Sequence, residues 1–425
     1  MNASAETLLP SAGKVTWSAL DRRLRARLLA QMSRLQHGAV QLDDDLGGHR
    51  CGTSDGPVIA LYVRHPAFYR AVAAYGSVGA GEAYIHGHWS CDDLVGLVRL
   101  LVRNRDLLDG MEGGLAAVGS WLLRAWHALR PNTRAGARRN IAAHYDLGND
   151  FFRLFLSADL MYSSALFARD DDTLETASER KLDRIATKLR LSPQDHVVEI
   201  GTGWGGFALH AARRYGCRVT TTTISQEQYA LATQRVAEAG LADRVTVLQR
   251  DFRDLEGRYD KLVSIEMVEA IGAANLPAYF SAIGRLLKPE GLALIQAITI
   301  EDHRYAQALR AVDYIKRFVF PGSFIPSVTA LLSAKTASCD LSLVQLEDFG
   351  GSYARTLQAW RERFLAQRDA VLAQGFDEAF IRMWTFYLAY CEGGFRERSI
   401  GVAQLLLAGP QCRDAEFVPG AGGGT

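Results

Sequence analysis

The chain has almost no excess of charge of either sign, since 48 lysines and arginines face 47 aspartates and glutamates in 425 residues. A protein that coats nucleic acid needs a basic surplus, so no nucleic-acid partner is expected. Cysteine is sparse: Cys51, Cys91, Cys217, Cys339, Cys391 and Cys412 are scattered with no C-x-x-C pair. That argues against a zinc site or a disulfide framework and fits a reducing compartment. Each is expected to be a small buried hydrophobe, and no metal site is expected. No apolar run approaches the roughly 18–20 residues that cross a bilayer. The N-terminus also lacks a charged-then-apolar leader, so a cytoplasmic location is expected. Internal repeats are absent, and low complexity is confined to the Gly-rich tail from Gly420 to Thr425,.

What is present is an ordinary globular composition, 48% hydrophobic and 22% charged, in a chain long enough for about two domains of roughly 100–200 residues. From Trp17 to Leu35 the residues Leu20, Leu24, Leu28, Leu29 and Met32 recur at helical spacing, with Arg22, Arg23, Arg25 and Arg27 between them,. This predicts a basic amphipathic helix, either a domain helix with a solvated face or one that lies on anionic lipid. A polar loop follows near Asp43–Gly56, then a strand at Val58–Val63 and helices at Leu94–Leu107 and Leu115–Leu129,. A boundary is placed near Pro131–Asn140, where Arg134, Arg138 and Arg139 form a basic stretch. The expected division is a small mixed α/β accessory domain over 1–130 and a second domain over 131–425.

From about Lys181, strand patterns alternate with helical ones, which predicts a doubly wound α/β fold with a mainly parallel sheet. The strand candidates are Val197–Ile200, Val219–Thr222, Val245–Leu248, Leu262–Ile265 and Leu292–Ile298. Helices are expected at Phe207–Tyr215, Glu227–Ala239 and Leu276–Leu287. Ligands of such sheets bind beyond the carboxyl ends of the strands. There stands Glu199-Ile-Gly201-Thr-Gly203-Trp-Gly205-Gly206. Its glycines allow a tight turn and a close backbone approach to a nucleoside ligand. Glycine spacing alone leaves a dinucleotide site open, because Gly206 supplies the third glycine of G-x-G-x-x-G. An acidic residue just before the glycines is typical of methyltransferases, whose cofactor has a cationic amino-acid end that Glu199 could balance.

Seven motifs in fixed order are more specific. They are His144-Tyr-Asp146-Leu-Gly-Asn-Asp-Phe151-Phe152, Met161-Tyr162-Ser163-Ser164, the glycine loop, Thr223-Ile224-Ser225-x-x-Gln228, Met267-Val-Glu269-Ala-Ile-Gly272, Phe320-Pro-Gly-x-x-x-Pro326-Ser327 and Tyr353-x-x-Thr356-Leu-x-x-Trp360. From Asn140 onward the chain resembles the cyclopropane-fatty-acyl-phospholipid synthase family, and residues before 130 resemble its accessory domain more loosely. The resemblance implies a Rossmann-like class I methyltransferase with helical lid insertions. It also implies S-adenosylmethionine as cofactor and the double bond of an unsaturated phospholipid acyl chain as methyl acceptor. Location would then be peripheral, at the inner face of the membrane; a homodimer is left open.

By the same resemblance, Tyr162 and Ser163 would hold the cofactor's amino-acid end, with Gly201 and Gly203 passing beneath it. Thr223, Ile224 and Gln228 would meet the ribose and adenine, which Asp251 and Phe252 would flank. An isolated alkene is a weak nucleophile that must be aligned with the sulfonium methyl. Its methylation leaves a carbocation that aromatic faces could stabilise, with Phe151, Phe152, Phe318 and Phe320 as candidates whose alternative role is plain core. Loss of a proton from the new methyl closes a cyclopropane, and loss from a chain carbon gives a methyl-branched alkene; a hydride shift before the proton leaves gives an exocyclic methylene. In the family a bound bicarbonate takes that proton, held by Cys, Glu, His and Tyr side chains and a backbone group.

Those positions read Ser164, Glu269, Gln296 and Tyr353 here, with Ile298 at the backbone contact. The thiol and imidazole are lost, and Glu266 stands where the family has glycine. These departures count against bicarbonate and offer Glu266 or Glu269 as the base. Its alternative role is simply to bind a backbone amide or an arginine. The expected product is therefore methyl-branched or methylene. Two rivals remain at this level: a methyltransferase of a soluble small molecule, and a cofactor-binding protein without turnover.

Overall fold

The computed structural model describes residues 16–109 and 147–413. Two compact units divide the chain, Met1–Gly119 and Ser120–Thr425. The expected Leu115–Leu129 helix, the Pro131–Asn140 boundary with its arginines, His144–Asp146 and the Gly-rich tail lie outside the described residues.

In the first unit the basic helix spans Ala19–Met32. It starts there because Ser18 and Asp21 cap each other: the Ser18 hydroxyl accepts from the Asp21 amide at 3.1 Å and Asp21 accepts from the Ser18 amide at 3.0 Å,. Leu28 and Leu29 are buried, while Arg22, Arg23 and Arg27 are exposed. A four-stranded sheet in the order β2-β1-β3-β4 is built from β1 (Ala39–Asp43), β2 (His49–Gly52), β3 (Val58–Val63) and β4 (Trp89–Cys91). The stretch expected as a polar loop thus contains β2, an edge strand whose exposed His49 and Arg50 give it no apolar alternation. The helix Ala67–Ile85 was also not anticipated, because Gly76, Gly79 and Gly81 interrupt its pattern,.

The second unit holds a seven-stranded sheet ordered β10-β11-β9-β8-β5-β6-β7. All five expected strands form: β5 (His196–Ile200), β6 (Arg218–Thr223), β7 (Val245–Gln249), β8 (Tyr259–Ile265) and β9 (Leu287–Ile300). They are mutually parallel. β10 (Ser342–Asp348) and β11 (Ile400–Ala408) complete the sheet, with β11 antiparallel to both neighbours. One face is packed by the Leu276–Leu286 helix, whose Tyr279, Phe280 and Ile283 meet Leu262, Ile295 and Leu405. The other is packed by the helices Leu174–Leu189 and Gly206–Tyr215, whose Ile185, Leu189 and Phe207 meet Val197, Val263 and Leu406. The expected doubly wound fold is therefore present.

All six cysteines are free thiols, but only Cys51 and Cys217 are buried. Cys91, Cys339, Cys391 and Cys412 are partly exposed, against expectation. Cys91 and Cys339 stand at the ends of a strand and a helix, where packing is incomplete.

Candidate active site

β5 has β6 on one side and β8 on the other, so the chain order reverses at β5 and a crevice opens at the carboxyl ends of β5 and β8,. Gly201 and Gly203 turn the backbone there at φ +101° and +51°, the left-handed region that glycine adopts without strain,. The Met161–Ser164 segment runs over the start of the next helix, where a Cβ on Gly206 would lie 2.5 Å from the Met161 sulfur. The Trp204 indole N–H donates to Asn149 at 2.7 Å, tying the glycine loop to the short helix Asn149–Arg153.

Glu199 is buried at the end of β5 and accepts from the Thr221 hydroxyl at 2.6 Å. Desolvation pushes its pKa up to about 8, with Thr221 and Lys181 opposing. Lys181 is fully buried and donates to the Ser163 hydroxyl at 2.8 Å. Burial depresses its pKa to about 8 against the pull of Asp159, Glu266 and Glu199. Reading the motifs misses this lysine. One signal could have found it: Leu174, Lys181 and Lys188 are spaced by seven on one helix and share its buried face,.

At the end of β6, the Thr223 hydroxyl donates to Gln228 at 2.7 Å and accepts from the Ser225 amide at 3.1 Å. Ile224 is half-buried beside them. After β7, Asp251 accepts two bonds from the Arg253 guanidinium, at 2.8 and 2.6 Å. Phe252 is buried edge-on to Tyr279 with centroids 5.8 Å apart. The residues expected around the cofactor thus gather at the carboxyl ends of β5, β6 and β7.

The acceptor side is built around Glu266, in the turn after β8. Its Oε1 accepts from the Ser164 amide at 2.9 Å and from Gln296 Nε2 at 2.8 Å, and its Oε2 from the Tyr353 hydroxyl at 2.6 Å. Sheet register makes this possible, because Ile265 is paired with Gln296 across β8 and β9. Ser164 contributes its amide; its hydroxyl donates to the Ala165 carbonyl at 2.9 Å. Glu266 has φ +47°, a conformation that glycine takes freely and other residues adopt at about 1 kcal/mol or more,.

Burial raises the pKa of Glu266, while its three donors and Lys181 oppose the rise. Glu269 differs. Its Oε1 accepts from the Ile298 amide at 2.5 Å, but its buried Oε2 has no partner among the described residues. Desolvation, then the Glu266 charge, push its pKa up to about 8. The two carboxyls therefore differ in support: three donors converge on Glu266, whereas the Oε2 of Glu269 is left without a partner among the described residues.

The aromatic candidates separate. Phe151 and Phe152 are both fully buried, Phe151 among Phe155, Phe376, Phe380 and Trp384 and Phe152 against Trp204 and Trp384, and both belong to the core. Phe318 packs on Tyr314. Phe152 and Phe320 both contact Tyr162, at 5.3 and 6.4 Å, and the Tyr162 and Tyr387 hydroxyls are 2.9 Å apart.

Residues 132–405 match the family model described as mycolic acid cyclopropane synthetase, a span that contains every site residue above. The chain belongs to this family. It is 38% identical over 377 residues to the tuberculostearic acid methyltransferase of Mycobacterium tuberculosis, covering 85% of this chain and 87% of the relative. It is 37% identical over 350 residues to the cyclopropane-fatty-acyl-phospholipid synthase of Escherichia coli, covering 82% and 87%. Among solved structures, the mycolic acid cyclopropane synthase CmaA1 complexed with SAH and CTAB superposes with a TM-score of 0.60 at 30% identity, covering 64% of this chain and 98% of that one. As a member of the mycolic acid cyclopropane synthetase family, the chain is an S-adenosylmethionine-dependent methyltransferase.

Proposed function

We propose that this enzyme methylates the double bond of an unsaturated acyl chain in a phospholipid, with Glu266 as the base, and releases a methyl-branched alkene or a methylene product. The observation that carries this reading is the convergence of the Ser164 amide, Gln296 and Tyr353 on Glu266. These are groups that would hold a bicarbonate in the family. Here they are satisfied by a carboxylate of the chain itself, whose charge would repel a second anion. The residues present do not fit bicarbonate, and no step is assigned to it.

S-adenosylmethionine fits the first half of the site and, when bound, supplies an electrophilic methyl on a sulfonium. Tyr162 and Ser163 would hold its amino-acid end, with Gly201 and Gly203 beneath it and buried Glu199, which the cationic amine would draw toward its ionised form, as counter-charge. Thr223, Ile224 and Gln228 line the ribose and adenine side, and Asp251 and Phe252 close the adenine edge. Tyr162 and Phe320 present rings to the acyl chain and exclude water from the cation that forms on it. Glu266 then takes a proton, from a chain carbon beside the cation for the branched alkene or, after a hydride shift, from the new methyl for the methylene, and the electrons of the broken C–H bond form the new double bond. Burial raises the affinity of Glu266 for a proton, which suits a base,.

The first unit is read as lipid-associating. Its Ala19–Met32 helix exposes Arg22, Arg23 and Arg27, and Leu20 is 55% exposed beside them; a face of this kind suits an anionic membrane surface. No helix among the described residues is long and apolar enough to cross a membrane, and peripheral action at the inner face accords with that.

The test is mass spectrometry and NMR of fatty acids from cells that express the chain with methyl-labelled methionine. A labelled methyl-branched alkene or methylene is expected, and a labelled cyclopropane as the main product would refute the product assignment. A Glu266→Gly variant should require added bicarbonate for activity, whereas the parent enzyme should not respond to it.

A further inference from the structure

Gln296 does more than touch Glu266. Its Oε1 accepts from Gln404 Nε2 at 3.0 Å, and the Gln404 Oε1 accepts from Lys188 Nζ at 2.9 Å. Lys188 in turn pairs with Glu347 at 2.5 Å, beside Arg184, whose guanidinium meets Glu347 at 3.0 Å. Lys188 and Gln404 are each 1% exposed and Gln296 is 0% exposed. Sheet register aligns the two amides, because Gln404 and Gln296 are direct partners across β11 and β9.

The polarity of this chain is set by its ends. An ammonium can only donate, so the Gln404 amide must turn its oxygen to Lys188 and its N–H₂ to Gln296. Gln296 must then accept with its oxygen and turn its own N–H₂ to Glu266. A carboxylate can only accept, so the far end agrees with the near one. Two glutamines on an apolar sheet face and a lysine on the helix over it would each be costly to bury unpaired,. Leucines would fill the same volume, so packing does not account for them.

We propose that Lys188 and Gln404 are positioning residues that hold the Gln296 amide with its N–H toward Glu266, and so keep that carboxylate ionised and aimed. This rests on the reading of Glu266 as the base. Other charged or titratable groups facing Glu266 are Tyr353 from the Gly350–Ala366 helix, Lys181 from the Leu174–Leu189 helix, and Glu269 from its own turn. None of them is altered below.

The experiment is the pH dependence of kcat on oleoyl-phospholipid vesicles with S-adenosylmethionine, for Gln404→Leu, Lys188→Met and Lys188→Arg. Loss of the oriented donor disfavours the ionised form, so the acid limb should move to higher pH. About one pH unit is expected for Gln404→Leu and Lys188→Met, with roughly tenfold lower kcat below the limb and an unchanged KM for the cofactor. Lys188→Arg keeps a cationic donor and should restore the parental limb. A role in packing alone would scale kcat equally at all pH values; an unmoved limb in the folded Gln404→Leu or Lys188→Met enzyme overturns the proposal. Should Gln404→Leu not fold, the contrast between Lys188→Met and Lys188→Arg decides. Glu266→Gln separates the two readings. If it stays active, the base assignment and this proposal both fall; if it is inactive while the limb stays unmoved in the others, only this proposal falls.

Discussion

Glu266 holds a left-handed backbone, φ +47°, and a partly buried carboxylate. Either alone is unfavourable, and both persist because three donors fix the side chain. Glu269, three residues on, accepts from the Ile298 amide, and its Oε2 has no partner among the described residues. Its pKa of about 8 against an ordinary 4.5 has a consequence for stability. Between those values the folded state keeps a proton that the unfolded chain has lost, so this group's contribution is full below pH 4.5 and disappears as pH rises toward 8. Glu269→Gln cannot ionise. Its Tm relative to the parent should therefore increase steadily from pH 5 to pH 8 in calorimetry, and a constant difference would show that Glu269 ionises normally. Both carboxylates were legible in the sequence as candidates, because one matches a family motif and the other breaks it. Their different hydrogen bonding was not, since it depends on which backbone amides and side chains reach each oxygen.

At the scale of elements, the helices Gly350–Ala366 and Glu378–Arg396 carry Tyr353 and Tyr387 to the site. They are joined by buried Glu392, which accepts from Arg361 at 2.9 and 3.1 Å and from Arg396 at 2.8 Å. Removing the shared carboxylate leaves both arginines without this partner. Glu392→Ala should lower the unfolding free energy by roughly 2–4 kcal/mol in urea titration. Activity should fall at temperatures where the parent is still folded. Near the other end of the site, Trp384 is 1% exposed and packs edge-on against Phe151 with centroids 4.9 Å apart. Trp384→Ala should cost about 3–5 kcal/mol by leaving a cavity. The amphipathic periods of the Gly206–Tyr215 and Leu276–Leu286 helices over the sheet were readable from sequence, whereas the Leu174–Leu189 helix was not expected. The Ala67–Ile85 helix and β2 were not, because internal glycines hide one and an exposed polar edge hides the other.

At the scale of the whole molecule, a ligand that binds only the folded state adds stability by mass action. S-adenosylmethionine at about 100 times its Kd should contribute about 2.7 kcal/mol, read as a rise in Tm. Glu199→Gln should reduce that rise at the same ligand concentration by weakening the counter-charge to the cofactor's amine; an undiminished rise would remove Glu199 from the binding set. By itself the sequence determined the doubly wound class, the five parallel strands, the glycine loop and the family, because each is written in local periodicity or in short ordered motifs. Tertiary structure alone decided that Lys188, Gln404, Gln296 and Glu266 form one line. Gln404 lies 216 residues from Lys188 and 108 from Gln296. Strand register and helix rotation bring such residues together, and neither leaves a local pattern for a linear reading to find.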